Sequence, residues 1–173
     1  AVEKYADTVI SCSEYPESLR IRYKTYYSRT DKKLAVNFLL PELNDLLVDR
    51  GILISKKDVL LEEVLKKIQK NFYDKTLISI GIRTMYELFE GISSELVSKI
   101  AFNGYAPTNE AAWENTDFSG HMRCIFSMES TREKFSDVNI DTEEPMKIAE
   151  SLNLLRVKNF SDPMQLIAPI KVQ

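Results

Sequence analysis

Between Leu19 and Tyr27 the chain alternates. Leu19, Ile21, Tyr23, Thr25 and Tyr27 fall on one side and Arg20, Arg22, Lys24 and Tyr26 on the other. Successive side chains of a strand point to opposite faces, so the segment is expected to be a strand with one apolar, β-prone face and one cationic face. Arg29, Lys32 and Lys33 follow in an expected turn, which brings six cations against a single acid, Asp31, within Arg20–Lys33. The remainder of the chain carries 17 basic and 25 acidic residues, so this basic segment stands on an acidic body.

Helical periodicity succeeds the strand. Asp31 can cap a helix over 32–48 in which Leu34, Phe38, Leu39, Leu43, Leu46 and Leu47 recur at helical spacing, with Pro41 kinking or dividing it and Gly51 closing it. Ser55, with Asp58 in the first turn, can cap a second helix whose stripe is Val59, Leu60, Val64, Leu65, Ile68 and Phe72. A third is expected over 75–90, stopped by Gly91 and weakened locally by Gly81. Two helices joined by a short glycine-containing link share the coarse plan of a helix-turn-helix. Glu62 and Glu63 in the second helix would repel phosphate, however, and its stripe reads as core packing.

Beyond Gly91 the signals turn to strands. Ile100 to Tyr105 and His121 to Met128 are expected to pair as a hairpin, with Met122, Cys124, Phe126 and Met128 as the core face of the second strand. The polar loop between them, 106–120, carries the chain's one tryptophan, Trp113. An aromatic anchor holding the loop to the body is the simpler reading of Trp113, and a recognition residue on a partner-facing loop is the other. Val138 and Ile140 suggest a further strand, 143–154 a helix with Pro145 in its first turn, and 154–157 a last strand. The tail from Ser161, with Pro163 and Pro169, is expected to be extended and either packed or available to a partner.

The fold class expected is therefore α+β in a single domain over 1–173. A helical central part, about 31–91, would pack on a small, mainly antiparallel sheet contributed by about 17–28, 100–105, 121–129 and 154–158. With 44% hydrophobic and 28% charged residues the composition is that of a soluble globular protein. No apolar run approaches the roughly 18 residues needed to span a bilayer, and the start lacks the plan of a signal peptide, so no membrane association and a cytoplasmic location are expected. Cys12 and Cys124 are too few and too distant for a disulfide framework. Together with the single histidine, His121, they also fall short of a four-ligand zinc site.

No glycine-rich phosphate loop, nucleophile elbow or Walker sequence is present, so no catalytic residue, metal or cofactor is expected. A metal-dependent nuclease would need Asp117, Glu129 and Lys134 to converge. Separately, the clustered acids Asp137, Asp141, Glu143 and Glu144 can bind a divalent cation or act as a general acid/base pair, but solvated turn and helix-start residues are their simpler reading. The function expected is thus a non-enzymatic binding module or accessory subunit. Its contact surface would be Arg20, Arg22, Lys24, Tyr26, Arg29, Lys32 and Lys33, with Lys56 and Lys57 as a candidate extension, the cations following phosphates and Tyr26 stacking on an unpaired base. An acidic protein surface is the alternative partner, and self-association or a larger assembly through the tail the structural alternative. Blunting an edge strand is the other reading of these cations, and a sequence pI near 5.4 restricts any nucleic-acid contact to a local one.

Overall fold

The structure is a computed structural model that describes residues 1–17, 19–50, 59–114, 117–118 and 120–173. In chain order the elements are α1 (Val2–Ser11), β1 (Arg22–Ser28), β2 (Lys33–Leu39), α2 (Leu43–Arg50), α3 (Val59–Gly91), β3 (Lys99–Pro107), α4 (Ala111–Glu114), β4 (Met122–Thr131), α5 (Arg132–Ser136), α6 (Pro145–Ser151) and β5 (Leu155–Arg156). The strands form one five-stranded sheet in the order β1-β2-β3-β4-β5. Its pairs are antiparallel except β2 with β3, which run parallel across the connection containing α2 and α3. This is an α+β fold with a mainly antiparallel sheet. Among the described residues no helix is long and apolar enough to cross a membrane.

One face of the sheet carries Leu34, Val36 and Phe38 of β2, Ile100 and Phe102 of β3, and Phe126 and Met128 of β4, and it packs with Leu77, Ile78, Met85 and Leu88 of α3 into the main core. Phe38, Phe102, Phe126 and Phe160 form a chain of ring contacts with centroids 5.6–5.8 Å apart. Helix α3 lies so close to this face that a Cβ on Gly81 would stand 2.6 Å from Met128 Cε and 3.0 Å from the Phe102 ring. Gly81, read in the sequence as a weak point of a helix, is where the helix and the sheet meet. Arg132 closes the far end of α3 by donating to the carbonyl of Phe89 in its last turn, an acceptor that the end of the helix leaves without an intrahelical partner, and to the carbonyls of Ile92 and Val97 in the segment that follows.

Several expectations are corrected. Residues 33–39 are a strand, not the start of a helix over 32–48, and the helical part does not extend back to residue 31. Leu34, Val36 and Phe38 also alternate at period two, and a central strand paired on both sides buries Ala35 and Leu39 as well, which makes the run resemble one turn after another of a buried helix. Lys33 accordingly begins β2 and does not sit in the turn. The second and third helices are one continuous α3; the Ser55 cap, with Lys56 and Lys57, lies outside the described residues. Residues 138–140 form no strand. In β4 the register shifts, so that Gly104 faces Phe126 and Tyr105 faces Cys124. Ile125 is the extra residue, and Cys124 therefore leaves the main core for the opposite face.

Helix α1 covers the outer edge of β1. Glu3 accepts the Tyr27 amide at 2.9 Å, Asp7 Oδ1 accepts the Thr25 hydroxyl at 3.0 Å, and the Asp7 carbonyl accepts from Tyr23 at 3.0 Å. The edge is thus closed by carboxylates from a helix, a task that cationic side chains were one candidate to perform.

Candidate functional site

The sheet face opposite α3 is polar at its centre. Asn37, Asn103 and Ser127 are mutual neighbours across β2, β3 and β4, and they are hydrogen-bonded in a row: Asn103 Nδ2 donates to Asn37 Oδ1 at 2.9 Å and Ser127 Oγ donates to Asn103 Oδ1 at 2.7 Å. The C-terminal tail crosses this row. Ile170 N donates to Asn103 Oδ1 at 2.9 Å and Ile170 O accepts from Asn103 Nδ2 at 2.8 Å, while Ile167 N donates to Cys124 O at 2.9 Å. Arg123, nearly buried, donates to the carbonyls of Gln165 and Phe160 and holds the root of the tail.

On the β1 side of the same face stands the expected cationic row, and it is engaged. Arg20, just before β1, forms a two-pronged pair with Glu110 at 2.7 and 3.1 Å, with its guanidinium 4.4 Å from the centre of the Trp113 ring. Arg22 donates to Ala112 O at 2.9 Å, and Lys24 reaches Asp117 at 3.4 Å while lying 5.5 Å from the centre of the Tyr26 ring. The row therefore seats the acidic loop that contains α4. Trp113 packs beneath it with Leu39, Tyr105, Ala112 and Cys124 in a second, smaller apolar cluster. The hydrogen bond from Arg20 holds the Glu110 carboxyl below its ordinary value.

The other expected contact residues lie apart. Arg29 and Lys32 are exposed in the β1–β2 turn, Lys32 with a left-handed backbone (φ 48°), and neither forms an ion pair among the described residues. Lys33 is drawn onto Glu129 at 2.6 Å and donates to Lys171 O at 3.2 Å. The nuclease grouping is not assembled: Asp117 faces Lys24, Glu129 faces Lys33, and Lys134 reaches Asn153 at 3.3 Å. Asp137 and Asp141 border a separate hollow beside Tyr86, Glu144 pairs with Lys75 at 2.8 Å, and no metal-binding group of three exists among the described residues.

Between the cationic row and the tail lies a cleft of about 400 Å³. Ala35 and Asn37 form its floor, Tyr26, Tyr105 and Phe118 its aromatic sides, and residues 169–172 its remaining wall. Tyr26 alone among these stood out in the sequence. Asn37 and Asn103 do carry a signal, since each interrupts an apolar strand run with an amide, but nothing local says that the two meet across a parallel pair.

Comparison with protein-family models, curated proteins and solved structures finds no match.

Proposed function

We propose that this protein is a non-enzymatic binding module, or accessory subunit, that contacts nucleic acid through the cationic, aromatic side of β1. The observation that carries the reading is the geometry of Arg20, Arg22 and Lys24. Arg22 and Lys24, about 6.6 Å apart by strand rise, and Arg20 just before the strand offer their donors to three acceptors in succession, with Tyr26 next along the row. A row that hands donors to acceptors at regular steps is suited to a phosphate backbone. Two of these acceptors, the Glu110 and Asp117 carboxylates, are replaceable, because exposed ion pairs contribute little to stability and phosphates make stronger, multiple contacts; the third, Ala112 O, is held by a part-buried hydrogen bond. Among the described residues that line the cleft beside the row there is no carboxylate, imidazole or thiol, which favours binding over catalysis.

A second reading has its own support. What the row seats here is an acidic, tryptophan-bearing stretch of polypeptide, so an acidic protein segment of similar chemistry is the alternative ligand.

The test is fluorescence anisotropy of labelled single- and double-stranded DNA and RNA. Three single-strand phosphate contacts should lower affinity about 20-fold between about 50 and 200 mM salt. Binding with that salt dependence, lost in the Arg20→Ala/Arg22→Ala/Lys24→Ala variant, is the expected result. Absence of binding at the lower salt overturns the nucleic-acid reading and leaves the acidic protein partner.

A further inference from the structure

The cleft holds hydrogen-bonding groups that the protein does not use. Tyr105 is only 7% exposed, yet its hydroxyl has no hydrogen-bond partner among the described residues, and the same is true of the Tyr26 hydroxyl. Burial raises the Tyr105 pKa well above that of an ordinary phenol, so the group is a neutral donor under physiological conditions. The hydroxyl keeps contact with solvent, so a ligand atom in the cleft that Tyr105 lines can replace water there.

Asn37 adds a third open group, and its orientation is fixed. The Ile170 amide must meet an acceptor and the Ile170 carbonyl a donor, so the tail backbone decides which end of the Asn103 amide is oxygen. Asn103 Nδ2 then faces Asn37 Oδ1, which leaves the Asn37 NH₂ without an acceptor among the described residues, on the floor of the cleft. Among the described residues the opening therefore combines an amide donor, two phenolic hydroxyls and three aromatic rings, with no acid. Lys171 lines its wall and Lys24 lies over the Tyr26 ring at its rim.

We infer that this cleft receives one unpaired nucleobase, stacked against its aromatic sides and read at its edge by Asn37 and Tyr105. The inference rests on the nucleic-acid reading above and deepens it: phosphates along Arg20, Arg22 and Lys24 would deliver a base of a single strand to the cleft behind Tyr26. A flat ring with acceptors on its edge complements these groups, and aromatic stacking is available to every base. The same ring chemistry is offered by a free nucleotide, so the experiment separates the two sources.

The discriminating variant is Tyr105→Phe, which keeps the ring and removes the hydroxyl. Because that hydroxyl has no partner among the described residues, the thermal unfolding midpoint should not fall. Wild type, Tyr105→Phe and Tyr26→Ala are titrated against a labelled single strand, the same strand with one abasic position, the matching duplex, and nucleoside monophosphates. The single strand should bind more tightly than the duplex and weaken roughly three- to tenfold on loss of the Tyr105 hydroxyl, as for one hydrogen bond. The abasic strand should lose affinity for wild type and show less dependence on Tyr105. Salt-sensitive strand binding that is indifferent to Tyr105, Tyr26 and the abasic position overturns the cleft while the cationic row stands. Mononucleotide binding that needs the Tyr105 hydroxyl, with no strand binding, overturns the row and keeps the cleft as a free-nucleotide site. No binding of any probe overturns both.

Discussion

Asn103 has no exposed surface, and its amide ties three strands and the tail together. Replacing it with leucine keeps the volume and strands Asn37 Oδ1, Ser127 Oγ and both backbone groups of Ile170. Asn103→Leu should therefore destabilise by about 2–4 kcal/mol, several unsatisfied buried groups being at stake, and should free the tail. Urea denaturation gives the first quantity, and new protease cleavage within residues 163–171 at native conditions the second. The two thiols make a sharper contrast. Cys12 is exposed, whereas burial pushes the Cys124 thiol up to about 11, so a disulfide reagent at neutral pH should modify Cys12 promptly and Cys124 only when the structure opens. Glu110 titrates in the opposite sense. Its carboxyl is held low by Arg20, so its share in seating the loop is full above the ordinary carboxylate value of 4.5 and is lost as pH falls through the depressed one. Trp113 fluorescence followed from pH 7 downward should change at a lower midpoint in wild type than in Arg20→Ala. Equal midpoints would mean that the pair does not hold the loop. Sequence supplied the residue types at this scale, including both alternating faces of β1, because side-chain direction in a strand follows from chain position alone.

At the scale of elements, what was legible is what local pattern decides. The alternation of β1, the hairpin of β3 with β4, the stop at Gly91 and the proline-led start of α6 all follow from neighbours within a few positions. Strand β2 was not legible, because its identity depends on β3, some sixty residues away, and a strand buried on both faces loses its alternation. The single α3 was missed for a related reason: the apparent interruption near Lys75 is a polar stretch on a helix about 50 Å long. The role of Gly81 is likewise non-local. Gly81→Ala improves helix propensity by up to about 1 kcal/mol, yet its methyl would meet Met128 and Phe102 at contact distances that require movement, at about 1–3 kcal/mol. The flexible Met128 end can yield; the Phe102 ring, locked between Phe38 and Phe126, cannot do so freely. Net destabilisation in urea is expected, and it should shrink when Met128 is first shortened to alanine. A stabilised Gly81→Ala protein would show that α3 does not press on the sheet as described.

The whole molecule divides its apolar interior unequally. The main core joins α1, α3, α6 and one face of the sheet, whereas Leu39, Tyr105, Ala112 and Cys124, with Trp113 and Phe118 against them, form a small cluster under the acidic loop on the other face. The sequence displayed the basic segment and the acidic loop separately, but Arg20 and Glu110 are ninety positions apart, and nothing in either stretch announces the other. Local stability follows buried apolar contact, so the smaller cluster, fastened by exposed ion pairs and one tail, should open before the rest. Trp113 is the chain's only tryptophan and reports that cluster alone, while far-ultraviolet circular dichroism is dominated by α3. In urea the Trp113 transition should therefore precede the loss of helix, and over the same range Cys124 should become reactive while the helical signal persists. Coincident transitions would instead make the open face part of one cooperative unit with the main core. The binding proposal makes the order of these events functional: a ligand that displaces Glu110 and Asp117 from the cationic row would alter Trp113 emission without shifting the helical signal. A ligand that acts elsewhere would leave Trp113 unchanged.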